Sequence, residues 1–260
     1  MIGVVLAGGL GTRLHPLTLY TNKHMVRVGC LPMIEYPINV LAEAGIKDIV
    51  IVSGGEFFEQ IEQYLSHGNE RGLNFHYENQ NRAWEKPKGI AHALSRVKKI
   101  VGKEDMAVIL GDNIFGMKLD FNLKEGMEAK IFLKEVKNPE RFGVAEIKDG
   151  KVISIEEKPK KPKSNYVVTG AYVYKANVFD FIETLEPSER GELEITDVNN
   201  WYIKRGKMCY EIIEGFWSDA GTRESIKVAE EYVIKSGLEE KILKKYPFLN
   251  SRKEWEKLFK

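Results

Sequence analysis

The sequence predicts an α/β fold: one domain with a mixed, mostly parallel sheet flanked by helices, closed by a short C-terminal helical tail. Three observations carry this. The first half alternates short apolar runs with helical patterns. The second half is β-rich and contains a two-residue hairpin turn, Asp149-Gly150. From Thr222 onward the pattern is helical and highly charged, with no low-complexity linker before it.

Taken in order, Ile2–Leu6 is an apolar run stopped by glycines, as a buried strand is. Met33–Ala44 carries Ile34, Ile38, Leu41 and Ala42 at helical spacing, and Gly45 ends it. Asp48–Val52 is a second strand, followed by a helix over Glu56–Leu65 with Phe57, Ile61, Tyr64 and Leu65 on one side. Asn74–Asn79 is a third strand, Ile90, Ala93, Leu94 and Val97 mark a helix, and Ala107–Leu110 is a fourth strand. Strand–helix–strand units of this length connect right-handedly and place ligands beyond the carboxyl ends of the strands. Ala129–Val136, Gly143–Ile147 and Tyr166–Tyr174 read as strands, and Asp149-Gly150 links Ile147 to Val152. Helices follow over Asn177–Leu185 and Thr196–Lys204, with a strand at Met208–Ile213 between them and the tail. Gly237 and Pro247 interrupt the tail. The expected division is 1–225 for the main domain and 226–260 for a tail packed on it.

The chain has 260 residues, 43% hydrophobic and 30% charged, which is an ordinary globular balance. With 39 basic and 38 acidic residues the net charge is +1, so bulk attraction to nucleic acid or to an anionic membrane is not expected. Cys30 and Cys209 are too few for a disulfide framework, and the N-terminus lacks the basic region of a signal peptide. The expected compartment is the cytoplasm.

Leu6–Leu14, LAGGLGTRL, follows the first strand. Its glycines let backbone amides approach a phosphate, and Arg13 adds a bidentate cation. No Gly-Lys-Ser/Thr closes it, so it is not a Walker loop. Leu14 stands at the third glycine position, which excludes a dinucleotide fingerprint. Asp112 follows the apolar run Ala107–Leu110, where a hard cation could bind. The five histidines show no metal-ligand spacing.

LAGGLGTRLHPLT, NKH and PMIEYPI, followed in order by LGDNIF, ERFGVAEI, EEKPKKPKSNYVVTGAYVY, RGELEITDVNNWY and WSDAGT, resemble the sugar-1-phosphate nucleotidyltransferases, most closely their short-form glucose-1-phosphate thymidylyltransferase branch. The likeness covers most of residues 1–225. It implies a Rossmann-like sheet and attack of a sugar 1-phosphate on the α-phosphorus of a nucleoside triphosphate, with pyrophosphate leaving. It also implies a Mg²⁺ cofactor.

By this resemblance Leu6, Gly8, Gly9, Gly11, Thr12, Arg13 and Lys23 meet the nucleotide, Arg13 gripping the departing pyrophosphate. Asp112 and Asp219 hold Mg²⁺. Lys158 contacts the sugar phosphate. Asn113, Gly143, Glu157, Val168 and Gly170 line the sugar pocket. Arg13, Lys23, Asp112 and Lys158 form the catalytic set. Adjacent Glu156 and Glu157 face opposite ways on a strand, so one of them sees the sugar. Lys160, Lys161 and Lys163 are expected in solvent. Trp201 and Trp217 are expected in the core.

The base segment departs from the family. QNRAWEKPKGIAHAL carries about four extra residues, Trp84 to Pro87, between the glutamine and the glycine that meet the base. Gln80 and Gly89 are the expected base contacts. Trp84 takes the glutamine position if the gap lies elsewhere. Arg27 stands where the family has proline.

The expected reaction joins dTTP to glucose 1-phosphate. A UTP-using enzyme, one for another sugar phosphate, and a non-catalytic sugar-nucleotide-binding subunit are the alternatives. The short charged tail suggests a monomer or homodimer.

Overall fold

The computed structural model describes residues 1–80 and 88–250. Its strands are β1 (Ile2–Leu6), β2 (Arg27–Val28), β3 (Leu31–Pro32), β4 (Asp48–Ser53), β5 (Asn74–Asn79), β6 (Met106–Leu110), β7 (Asn113–Phe115), β8 (Ala129–Glu135), β9 (Gly143–Lys148), β10 (Lys151–Glu157), β11 (Tyr166–Tyr174), β12 (Met208–Ile212) and β13 (Trp217–Asp219). Its helices are α1 (Glu35–Glu43), α2 (Phe58–Leu65), α3 (Ile90–Ser95), α4 (Lys98–Val101), α5 (Val178–Ile182), α6 (Ile195–Lys204), α7 (Arg223–Lys235) and α8 (Leu238–Lys245).

One nine-stranded sheet organises the chain, in the order β10-β9-β11-β6-β1-β4-β5, with β8 paired to β11 and β12 to β8. β5, β4, β1 and β6 are mutually parallel. β11 enters antiparallel to β6 and carries the second half of the sheet. The mixed, mostly parallel α/β fold with flanking helices is therefore as the sequence predicts.

Burial explains the apolar runs. Val4 and Leu6 pack on one face of the sheet with α3, α5 and α6, while Val5 and Ala7 pack on the other with α1 and α2. Strands covered on both faces need apolar residues at every position. Asp149 and Gly150 both take left-handed backbone, φ 49° and 71°, which suits the two-residue turn joining β9 to β10.

Several boundaries differ from the sequence expectation. The helix expected over Asn177–Leu185 ends at Ile182, where the Thr184 hydroxyl donates to the Phe181 carbonyl at 2.8 Å and competes with the helical ladder. The helix marked by Ile90–Val97 divides into α3 and α4. α7 opens on a capping box between Thr222 and Ser225. With α8 it forms a third core, where Leu14, Val28, Tyr36, Ile226, Val233, Ile242, Tyr246 and Phe248 are buried together. Gly29 in the β2–β3 turn receives α8 closely: a side chain there would meet the Glu239 carboxylate, which accepts from the Cys30 amide at 2.9 Å.

Candidate active site

A cleft of about 570 Å³ opens at the carboxyl ends of β1, β5 and β6, where a parallel sheet presents its ligand site. Leu6 ends β1, Gln80 follows β5 and Asp112 follows β6, and all three line it. Gly9 takes a backbone φ of 103° that a side chain would strain. A Cβ on Gly8 would come within 2.2 Å of the Gln80 amide oxygen, so this glycine is what admits Gln80.

Arg13 and Lys23 sit on two 3-10 turns, Thr12–Leu14 and Lys23–Met25. Buried Leu14 anchors the first. Asn22 caps the second, accepting from the His24 amide at 2.9 Å. His24 is buried beneath Gly111, and burial together with the Lys23 charge pushes its imidazole down to about 3, so the ring is a neutral wedge. Lys23 Nζ lies 2.7 Å from Asp112 Oδ2. Burial alone would raise the Asp112 carboxyl, but Lys23 holds it well below the usual carboxylate range.

Asp219 reaches this carboxylate through a two-stranded ribbon. β13 pairs antiparallel with β7, placing Asp219 opposite Asn113, and the Ala220 amide donates to the Asp112 carbonyl at 2.7 Å. Burial and then the Asp112 charge raise the Asp219 carboxyl, while Arg141, Arg13 and Lys23 pull it back. Two partly buried carboxylates, one of which opposes the ionisation of the other, suit a hard divalent cation. Among the described residues no group of three or more His, Cys, Asp or Glu side chains converges. The Asp112–Asp219 pair would therefore leave positions for phosphate oxygens and water, as Mg²⁺ prefers.

The far wall carries the sugar-side candidates. Glu157 ends β10 opposite Gly143 of β9. Thr196 Oγ1 donates to Glu157 Oε2 at 2.7 Å, while Lys158 Nζ and Arg190 lie 3.4 and 3.5 Å from Oε1. Lys158 holds a left-handed φ of 46°, fixed in part by its amide bond to the Phe142 carbonyl at 3.0 Å. β11 shifts register against β8 between Val168 and Tyr172, and Val168 and Gly170 line the cleft along this stretch. Asn113 is committed on every side: its oxygen accepts from the Gly170 amide at 2.8 Å and the Trp217 indole at 2.7 Å, and its NH₂ donates to Asp112 at 2.8 Å. It lines the cleft as a nearly sealed wall joining the Asp112 side to the sugar-side strands.

The cleft thus brings together Leu6, Gly8, Gly9, Arg13, Lys23, Gln80, Gly89, Asp112, Asn113, Gly143, Glu157, Lys158, Val168, Gly170 and Asp219. Gly11 and Thr12 do not line it; they shape the turn that carries Arg13. Glu156, Lys160, Lys161 and Lys163 face solvent. Trp84, the alternative to Gln80, lies outside the described residues. Trp217 packs partly buried against the core, as expected, and also lines the cleft, because β13 belongs to the ribbon and not to the main sheet. Arg141 and Arg190 line the cleft and carry no local signal that separates them from solvated arginines. Arg190 is bound by Glu194 at 2.7 Å.

The fold and a cleft with cations at both ends and paired carboxylates between them define a nucleotidyltransferase. The chain belongs to the nucleotidyl transferase family, whose sequence profile matches residues 2–236. It is 40% identical over 241 residues to a glucose-1-phosphate thymidylyltransferase of Neisseria meningitidis, covering 90% of this chain and 82% of that protein. A nucleotidyltransferase of low-salt glycan biosynthesis from Haloferax volcanii is 40% identical over 252 residues, covering 94% and 68%. A Bacillus anthracis protein of the same nominal activity as the Neisseria enzyme, solved in complex with sucrose, superposes with a TM-score of 0.83 at 46% identity, covering 89% and 95%.

Proposed function

We propose that this nucleotidyltransferase joins dTTP to glucose 1-phosphate, giving dTDP-glucose and pyrophosphate. The observation that carries the reading is the two-ended cleft: Arg13 and Lys23 stand at one end, Glu157, Lys158 and Arg190 at the other, and Asp112 with Asp219 between them. The 40% identity to the Neisseria thymidylyltransferase supports the choice of substrates.

In this mechanism Arg13 and Lys23 bind the triphosphate. Lys158 and Arg190 leave Glu157 to take the phosphate of the sugar, and the freed carboxylate accepts from sugar hydroxyls beside the Gly143 amide. A sugar-phosphate oxygen attacks the α-phosphorus, one P–O bond forms, the α–β bridge breaks and pyrophosphate departs toward Arg13. The nucleophile is already an anion, so no general base is needed. Positioning and charge neutralisation lower the barrier. A Mg²⁺ ion held by Asp112 and Asp219 would supply further neutralisation of phosphate oxygens.

Gln80 reads the base edge and Gly89 approaches beneath it. An amide satisfies thymine and uracil alike, so only the C5 methyl separates them, worth on the order of 1 kcal/mol. A matrix of nucleoside triphosphates against sugar 1-phosphates, read by pyrophosphate release, tests the assignment. dTTP is expected to exceed UTP by about tenfold or less, with CTP, ATP and GTP poor. Gln80→Ala is expected to flatten that order. An enzyme that prefers a purine triphosphate, or that releases no pyrophosphate with any pair, overturns the proposal.

The two ends separate by kinetics. Losing a charge-assisted contact costs roughly 1.5–3 kcal/mol, or about 10- to 100-fold. Arg13→Ala should lose that factor in triphosphate use and turnover, and Lys158→Ala chiefly in KM for the sugar phosphate. Both variants shifting one substrate's KM alone would refute the two-ended assignment.

We place the protein in the cytoplasm, which suits the exposed free thiol of Cys30. No described helix is long and apolar enough to cross a membrane. A monomer or homodimer fits a tail that buries Ile242, Tyr246 and Phe248 against its own chain and leaves Val228 and Ile234 exposed.

A further inference from the structure

Asp219 has a counter-ion that the proposed mechanism leaves without a task. Arg141 lies 3.8 Å from Asp219 Oδ2 and lines the cleft with its side chain 46% exposed. Its position is built rather than incidental. It ends a 3-10 turn, Pro139–Arg141, whose proline is buried. The next residue, Phe142, packs edge-on against Trp217 with ring centroids 5.4 Å apart, and Trp217 belongs to the same three-residue strand as Asp219. The Phe142 carbonyl also accepts the Lys158 amide. The turn is thereby pinned to the strand that carries the carboxylate and to the lysine of the sugar-phosphate end. On its other side Asp219 adjoins Arg13: both side chains crowd the space over Gly221. Arg141 therefore adjoins both groups of cations: Arg13 through Asp219, and Lys158 through Phe142.

We infer that Arg141 is an exchange cation. In the resting protein it neutralises Asp219; when Asp219 is engaged by a divalent cation, Arg141 releases it and grips the diphosphate of the sugar nucleotide. This rests on the proposed role of Asp219 in the nucleotidyl transfer. A guanidinium suits the task, because its planar fork can leave a loose carboxylate contact for bidentate hydrogen bonds to phosphate oxygens. Its half-exposed position leaves the attachment to Asp219 weak enough to break.

The inference predicts opposite effects on two ligands, which a purely structural role does not. Mn²⁺ binding by the full-length protein, followed by electron paramagnetic resonance without nucleotide, should tighten about two- to fivefold in Arg141→Gln, because a competing cation is gone. Binding of dTDP-glucose at saturating Mg²⁺ and without pyrophosphate, followed by titration calorimetry, should weaken about tenfold or more in the same variant. Arg141→Lys should restore the wild-type Mn²⁺ affinity and recover only part of the dTDP-glucose affinity. If Arg141→Gln leaves both affinities unchanged, or weakens both together, Arg141 is only a surface or scaffold charge and the inference is wrong. Asp219→Asn serves as the control on the underlying reading. Mn²⁺ binding unaltered in that variant overturns the role of Asp219 itself and the exchange with it, whereas loss in Asp219→Asn with no change in Arg141→Gln overturns the exchange alone.

Discussion

Asp112→Asn is expected to reduce single-turnover rate by about 10²- to 10³-fold or more while leaving the fold intact. The carboxylate is the partner of Lys23 at 2.7 Å and, in the proposed mechanism, one of two acidic groups beside the reacting phosphates. Asparagine keeps the shape and the backbone carbonyl that holds Ala220, so the β7–β13 ribbon should survive. What disappears is one negative charge, leaving the Lys23 ammonium without its counter-ion. Rapid-quench turnover and thermal unfolding on the same preparation separate chemistry from stability. Near-normal turnover at saturating Mg²⁺ would remove Asp112 from the mechanism.

Arg71→Ala should produce the largest loss of stability. Arg71 and Glu35 form an ion pair at 2.6 Å with side chains only 2% and 0% exposed. The guanidinium lies over the rings of Tyr64, Phe75 and Phe248, at 5.9, 5.8 and 4.9 Å from their centroids. Removing one partner strands a buried carboxylate, at a cost of roughly 3–5 kcal/mol. For a domain of this size the melting temperature should fall by roughly 6–20 °C. The double variant Glu35→Gln/Arg71→Met should recover much of that loss, since a buried pair contributes little net stability when both charges are removed together. Additive losses in the double variant would show instead that the pair itself is strongly stabilising.

β1, β4 and β6 of the parallel half were legible because they are buried on both faces and read as apolar runs, whereas the edge strand β5, NFHYEN, alternates and is largely exposed. The β9–β10 turn was legible because two consecutive left-handed residues demand Asp-Gly or a near equivalent. The β7–β13 ribbon was not. Each strand has three residues, the partners lie about a hundred positions apart (Trp217 with Phe115, Asp219 with Asn113), and pairing at that distance leaves no local pattern. Asp112 and Asp219 could be joined only through the family resemblance. Arg141 and Arg190 were missed for a different reason. Arginine in a charged loop reads as solvated, and only tertiary structure turns these two toward the cleft. Asn113 was expected at the sugar, and its amide is bonded to Gly170, Trp217 and Asp112, a set of partners drawn from three separate segments.

The contact of Phe248 with Arg71 also bears on the order in which the protein can be made. The four parallel strands β1, β4, β5 and β6 are complete once residue 110 has emerged from the ribosome, and they can pair at once. The Arg71 guanidinium then has the rings of Tyr64 and Phe75 beside it but lacks that of Phe248, which follows some 140 residues later. Until then the charged pair stands under a roof that is only partly closed. Emergence of the turn Pro247–Asn250 seals it, so ribosome stalling or premature termination shortly before Tyr246 should yield a sheet that is formed but unsealed.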